Sequence, residues 1–149
     1  MKCHDVMTDN PVCCLPEDNV GQAARLMRRE RIGSVPIVTD ELKKELIGIV
    51  TDRDLAIKVV GESRDAIRTS VYDVMTAAVV ACREDDDVIT ALLAMEEHQI
   101  RRIPVVDYSG RLVGIISQGR HLDPRASGNA GPSRSWTGCL RVRPECSGT

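Results

Sequence analysis

The sequence predicts an α/β protein made of two β-α-β-β-α units related by a pseudo-twofold axis, followed by a disordered C-terminal tail. Three observations predict it. A four-residue motif recurs at a fixed distance, each copy carries one helix-period apolar face followed by two β-branched runs, and all periodicity stops near residue 122. The motif Asp5-Val6-Met7-Thr8 returns as Asp73-Val74-Met75-Thr76, an offset of 68 that Cys14 and Cys82, Val20 and Val88, Ala23 and Ala91, Met27 and Met95, and Pro36 and Pro104 all keep. Beyond the prolines the offset falls to 66, because the loop between the next two strands has seven residues in the first copy (39–45) and five in the second (107–111). Hairpin loops tolerate such changes at little cost. Gly48-Ile49-Val50-Thr51 then matches Gly114-Ile115-Ile116-Ser117.

Each element has a local cause. Residues 11–14 read as a short extended run. Pro16-Glu17-Asp18-Asn19 supplies capping and first-turn acids for a helix over 20–29, whose apolar face Val20, Ala23, Ala24, Met27 follows the i, i+3, i+4, i+7 spacing. Residues 35–38 and 46–51 are β-branched runs around a polar loop, which predicts a hairpin. Residues 52–60 read as a helix stopped by Gly61. In the second copy Asp85-Asp86-Asp87 opens a helix with face Val88, Ala91, Leu92, Met95, and 105–106 with 112–117 form the hairpin around Tyr108-Ser109-Gly110. About 50 residues per copy bury too little surface to stand alone, whereas two copies reach a workable size. The predicted boundaries are 2–62 and 63–122, the second with an atypical or truncated terminal helix. Residues 123–149 hold four Gly, three Pro, four Ser and four Arg without apolar periodicity, a composition that predicts a disordered, mildly basic tail.

Composition excludes several functions. With a net charge of −2, no Phe, two Tyr and one Trp, the chain has neither a blanket attraction for nucleic acid or anionic membranes nor the aromatic platforms that stack single-stranded bases. No apolar run is long enough for a membrane helix, and the polar N-terminus lacks a signal-peptide core, so a cytoplasmic location is expected. The six cysteines form no CxxC pair, and free thiols are the default. His4, His98 and His121 sit in no triad or H-E-x-x-H setting, and there is no phosphate-binding glycine loop, so no catalytic residue is assigned and the chain is read as a non-enzyme.

The D-V-M-T starts, the paired entries Ile32…Pro36 and Ile100…Pro104, and the exit Gly48-Ile49-Val50-Thr51-Asp52-Arg53-Asp54 together resemble a tandem CBS-domain pair, or Bateman module, over about residues 2–122. The resemblance is to stand-alone bacterial proteins of this kind. It implies a non-catalytic regulatory sensor that binds AMP, ADP, ATP or S-adenosylmethionine in the cleft between the units, requires no other cofactor, forms a homodimer and acts on an unidentified protein target.

Candidate ligand-binding residues follow from the motif positions. A strand ending in Thr51 and opening a helix turns backbone N–H groups toward an anion, and Thr51 would cap that helix and hydrogen-bond ribose or phosphate. Asp54 matches the family's ribose position, where a carboxylate accepts from both hydroxyls; alternatively the two are only a cap and a first-turn acid. The resemblance places adenine against Val12 and Ile32 in the first unit and Val80 and Ile100 in the second, all of which serve equally as core. Arg101 and Arg102 stand where such pairs place phosphate ligands, although a solvated edge balancing Glu96 and Glu97 is the other reading. Arg53 is a further candidate.

Ser117 matches Thr51, but Arg120 replaces the acid expected in the second unit and cannot accept hydrogen bonds from ribose. Gly119 beside it weakens the helix that should follow. One well-formed ribose site is therefore expected. Two rival readings remain: a metal- or redox-responsive protein using Cys3, His4 and Cys13, whose spacing is not a standard zinc one, and a ligand-free dimerisation module.

Overall fold

Helices and hairpins form where the repeat places them. The computed structural model describes residues 1–118 and 140–142. In chain order these are α1 (Cys3–Val6), β1 (Thr8–Asp9), α2 (Val20–Glu30), β2 (Ser34–Val38), β3 (Leu46–Thr51), α3 (Asp52–Leu55), a π-helical turn (Ala56–Val60), α4 (Val71–Val74), β4 (Val79–Arg83), α5 (Val88–Glu97), β5 (Arg102–Val106), β6 (Leu112–Ser117) and β7 (Leu140–Val142). Gly119, Arg120 and most of the predicted tail 123–149 lie outside the described residues. The exception within the tail is β7, which the sequence reading did not anticipate.

The long helix of each copy starts on a side-chain cap and stops in the same way. Asn19 Oδ1 accepts the Gln22 N–H and Gln22 Oε1 accepts the Asn19 N–H, both at 2.9 Å, a reciprocal box that satisfies two terminal donors. In α5, Asp87 Oδ1 accepts the Ile89 N–H at 3.0 Å. Both helices end in a left-handed residue, Arg31 at φ 55° and Gln99 at φ 53°. The next amides turn back, Ile32 N–H onto the Met27 carbonyl (3.0 Å) and Ile100 N–H onto Met95 (2.9 Å), which satisfies helix-end carbonyls. The predicted faces bury Val20, Ala23, Met27 and Val88, Ala91, Leu92, Met95. Ala24 is the exception and is exposed.

The chain divides into two compact units, Met1–Pro11 with Val80–Arg141, and Val12–Val79 with Val142–Thr149. The expected boundaries 2–62 and 63–122 follow the repeat along the chain, whereas each compact unit takes its leading D-V-M-T segment from the other copy.

In the unit Val12–Val79, β2 and β3 form an antiparallel hairpin with a bulge at Ile37/Val38. Thr76 bridges Ile49 on one side, and Cys14 bridges Ile37 in parallel on the other. The expected extended run 11–14 thus reduces to one bridging residue. The Cys14 N–H donates to the Pro36 carbonyl and the Val38 N–H to the Cys14 carbonyl, both at 3.0 Å. The core joins Cys14, Val20, Ala23, Met27, Val35, Ile37, Val50 and Val59 to Val71 and Val74 of α4.

The other unit repeats the plan with longer pairings. Its sheet runs β1-β6-β5-β4-β7, with β5 and β6 antiparallel, a bulge at Val105/Val106, and β4 parallel to β5. Thr8 pairs with Ile115 as Thr76 does with Ile49. Cys3 of α1 packs with Cys82, Val88, Ala91, Leu92, Met95, Ile103, Val105 and Ile116.

Met7 and Met75 account for two of the repeat's glycines. A Cβ placed on Gly48 would collide with Met75 Sδ, and one on Gly114 would collide with Met7 Sδ, with Met7 Cγ at 2.7 Å and Cβ at 3.0 Å. Each glycine is the gap into which the methionine of the other copy's motif settles. Gly114→Ala is expected to lower the unfolding free energy in urea by about 1–3 kcal/mol, the usual range for overpacking. Combining it with Met7→Ala should cost less than the two single losses added; strict additivity would show that the two residues do not share a contact.

Candidate functional site

Where β3 hands over to α3, Thr51 and Asp54 hold each other. Thr51 Oγ1 accepts the Asp54 N–H, and Asp54 Oδ2 accepts the Thr51 N–H, both at 3.0 Å. The cap expected of Thr51 is present. Lys58, one turn on, places its Nζ 3.1 Å from Asp54 Oδ1 and donates to the Val74 carbonyl at the end of α4 at 2.9 Å. The Thr76 hydroxyl lies 3.5 Å from Asp54 Oδ2. The Asp54 side chain is 13% exposed and that of Lys58 39%, so a largely enclosed carboxylate is paired with a partly exposed lysine.

The expected row of free amides at this corner is not there. The Asp52 N–H donates to the Gly33 carbonyl at 2.9 Å, the Arg53 N–H to its neighbour's Asp52 Oδ1 at 2.8 Å, and the Asp54 N–H to Thr51. An acidic residue at the first helical position supplies the anion that a ligand was expected to bring. What the corner offers instead is the remaining acceptor capacity of Asp54, since an ionised carboxylate has about four lone-pair positions. Arg53 is exposed.

Of the other first-unit candidates, Ile32 is half-buried against the core of the unit Val12–Val79 and gives its amide to the end of α2. Val12 is half-buried in the same unit.

Val80, Ile100, Arg101, Arg102 and Ser117 belong to the other unit. Val80 and Ile100 pack against its core. Arg102 and Ser117 face each other across the β5–β6 pair, and the Gln118 N–H donates to the Arg101 carbonyl at 2.7 Å, the counterpart of the Asp52 to Gly33 bond. The structure therefore brings two arginines to the end of β6, where the first copy has Gly33 and Ser34.

The cysteine and histidine candidates are dispersed. Cys3 is buried, its thiol 3.9 Å from the Asp87 carbonyl. His4 Nδ1 lies 3.1 Å from the Glu84 carbonyl and Nε2 3.2 Å from Asp5 Oδ1. Cys13 belongs to the unit Val12–Val79. Among the described residues no group of three or more His, Cys, Asp or Glu side chains could hold a metal ion. Burial, followed by repulsion from Asp18 and Cys13, pushes the Cys14 thiol up to about 11; burial also raises Cys13. Both thiols are thereby kept protonated and poor nucleophiles at neutral pH.

The model of the CBS domain matches residues 3–61 and 71–120. The chain belongs to the CBS-domain family. Its two matched regions make a tandem pair, and CBS pairs are generally regulatory modules. It is 35% identical over 115 residues to the CBS domain-containing protein YhcV of Bacillus subtilis, covering 77% of this chain and 79% of YhcV. An uncharacterized protein of Methanopyrus kandleri is 39% identical over 113 residues, 76% of this chain, which spans only about half (54%) of that relative's length.

Among solved structures, hypoxic response protein I with two coordinated zinc ions superposes with a TM-score of 0.72 at 30% identity, over 79% of this chain and 93% of that one. The CBS pair of protein MJ0100 in complex with 5′-methylthioadenosine and S-adenosyl-L-methionine gives 0.69 at 27%, over 85% and 94%. CBSX2 in complex with AMP gives 0.68 at 28%, over 84% and 94%. Among the described residues no helix is long and apolar enough to cross a membrane.

The Cys14 shift fixes the sign of a pH dependence. A thiol whose folded value is raised above the ordinary 9.0 stabilises the fold fully below pH 9.0, and that contribution is lost as pH rises toward about 11. The stability difference between wild type and Cys14→Ala, measured by urea unfolding from pH 8 to 10.5, is expected to narrow above pH 9, by at most about 1.4 kcal/mol per pH unit. A difference that stays constant or widens would contradict it.

Proposed function

We propose that this CBS pair is a non-catalytic sensor that binds an adenosyl ligand, AMP, ADP, ATP or S-adenosylmethionine, with Asp54 accepting from the ribose hydroxyls and Thr51 fixing the corner that presents it. The observation that carries this reading is the enclosed Asp54 carboxylate, held by Thr51 at the end of β3 and retaining acceptor capacity. Structural relatives carrying AMP, or 5′-methylthioadenosine with S-adenosylmethionine, support the ligand class. Half-buried Ile32 and Val12 offer aliphatic surface for adenine in the same unit, and Ile100 and Val80 in the other. Arg101, Arg102 and Ser117 are the phosphate-binding candidates of the second copy. Regulation would proceed by differential affinity, since a ligand moves an equilibrium only as far as it prefers one state. The protein acts in the cytoplasm as a homodimer, passing the change to a protein target and needing no other cofactor.

Calorimetric titration with AMP, ATP and S-adenosylmethionine should show binding of at least one ligand to the wild type. Asp54→Ala should weaken that binding about tenfold or more, as expected for hydrogen bonds to a charged group. Unchanged affinity in the variant would remove Asp54 from the site, and no binding of any of the three would remove the ligand class. Gel filtration with light scattering at micromolar concentration should give twice the chain mass; a monomer would overturn the dimer.

A further inference from the structure

Lys58 is the one residue at this corner whose two contacts lead to different parts of the unit. Its ammonium sits between Asp54 Oδ1 at 3.1 Å and the Val74 carbonyl at 2.9 Å. The first contact belongs to the site. The second belongs to the last residue of α4, just before Met75 settles over Gly48 and Thr76 exchanges backbone hydrogen bonds with Ile49 at 2.8 and 3.0 Å. From there the chain runs through Val79 and leaves the unit. The other partners of Asp54 cannot carry a signal in the same way. The Thr51 N–H is backbone fixed by the cap, and the Thr76 hydroxyl is at the 3.5 Å limit of a hydrogen bond and rotates freely. The Lys58 side chain is 39% exposed, and the carboxylate it pairs with only 13%.

We propose that Lys58 is a latch whose ion pair with Asp54 is exchanged for ribose hydroxyls when ligand binds, releasing the Val74 carbonyl and loosening α4 and the segment that follows it. This rests on the reading of Asp54 as the ribose acceptor. A diol that takes Asp54 Oδ1 as its acceptor competes with the ammonium that occupies it. Once the ammonium leaves Oδ1, its hold on Val74 loses the anion that positions it. The end of α4 then keeps only backbone bonds, Met75 N–H to Val71 and the Thr76–Ile49 pair. Lys58 is thus a positioning residue that opposes binding and converts occupancy into a local change at the exit of the unit.

The test uses the isotopically labelled full chain with AMP and, separately, S-adenosylmethionine. In the wild type, saturating ligand should move the Val74 carbonyl ¹³C resonance upfield as its donor departs, and should speed amide exchange at Met75 and Thr76 several-fold. In Lys58→Met the ligand-free protein should already show the fast exchange, ligand should add nothing further, and affinity should rise about two- to fivefold, the scale of a partly exposed ion pair. Binding to the wild type with no response at Val74 overturns the latch and leaves the ribose reading intact. Weaker binding to Lys58→Met overturns it as well, since the ammonium would then be a ligand contact. No binding of either compound to the wild type overturns the ribose reading and this inference with it.

Discussion

The contact on which both units depend is a methionine lodged where a glycine lacks a side chain. Met75 lies over Gly48 and Met7 over Gly114, each closer than any Cβ would permit. The contact brings the short D-V-M-T helix of one copy onto the second hairpin strand of the other. It also aligns Thr76 with Ile49 and Thr8 with Ile115 for backbone pairing. Around it collect Val71 and Val74 in one core and Cys3 in the other. The site inherits this placement. Val74 and Thr76, which close around Lys58 and Asp54, are in position because Met75 between them is anchored.

Much of the fold was legible in the sequence because its signals are local and repeated. The apolar positions of α2 and α5 identify their own buried face, and the caps Asn19 and Asp87 lie where the acidic and amide residues announce them. The hairpins follow from β-branched runs around loops of unequal length. What stayed hidden depends on distant partners. A four-residue helix such as α1 or α4 is too short for periodicity to register. The methionine that fixes it meets its glycine 27 residues back for Met75 and 107 residues on for Met7. Ala24, apolar at a helical spacing, is exposed because the buried stripe on α2 is narrower than the spacing rule allows.

At the site the division is the same. The T-x-x-D spacing of Thr51 and Asp54 encodes a reciprocal cap that any reader of helix starts can find, and it is present at 3.0 Å in both directions. Lys58 lies at i+4 from Asp54, a spacing that permits an ion pair on a helix. Nothing along the chain, however, says that the same ammonium reaches back from Val74, since that contact exists only once α4 is docked. The expectation of free amides failed for a local reason that was available. Asp52 can fold its carboxylate onto the next N–H, and Gly33 sits at the mouth of the hairpin where its carbonyl meets the Asp52 amide.

Duplication has left two corners with the same backbone bond and different charged side chains. Both hairpins end with a backbone bond across the mouth, Asp52 to Gly33 and Gln118 to Arg101, and both put a hydroxyl at the end of the second strand. At the first corner Asp54 is answered by Lys58 and Asp52 by its neighbour's amide, while Arg53 is exposed. At the second, Arg102 pairs with Ser117 across the hairpin and Arg101 precedes it, and neither guanidinium has an acidic partner within ion-pair distance among the described residues. Guanidinium groups suit anions with several acceptor oxygens. The repeat has copied its backbone at the two corners while diverging in these few side chains.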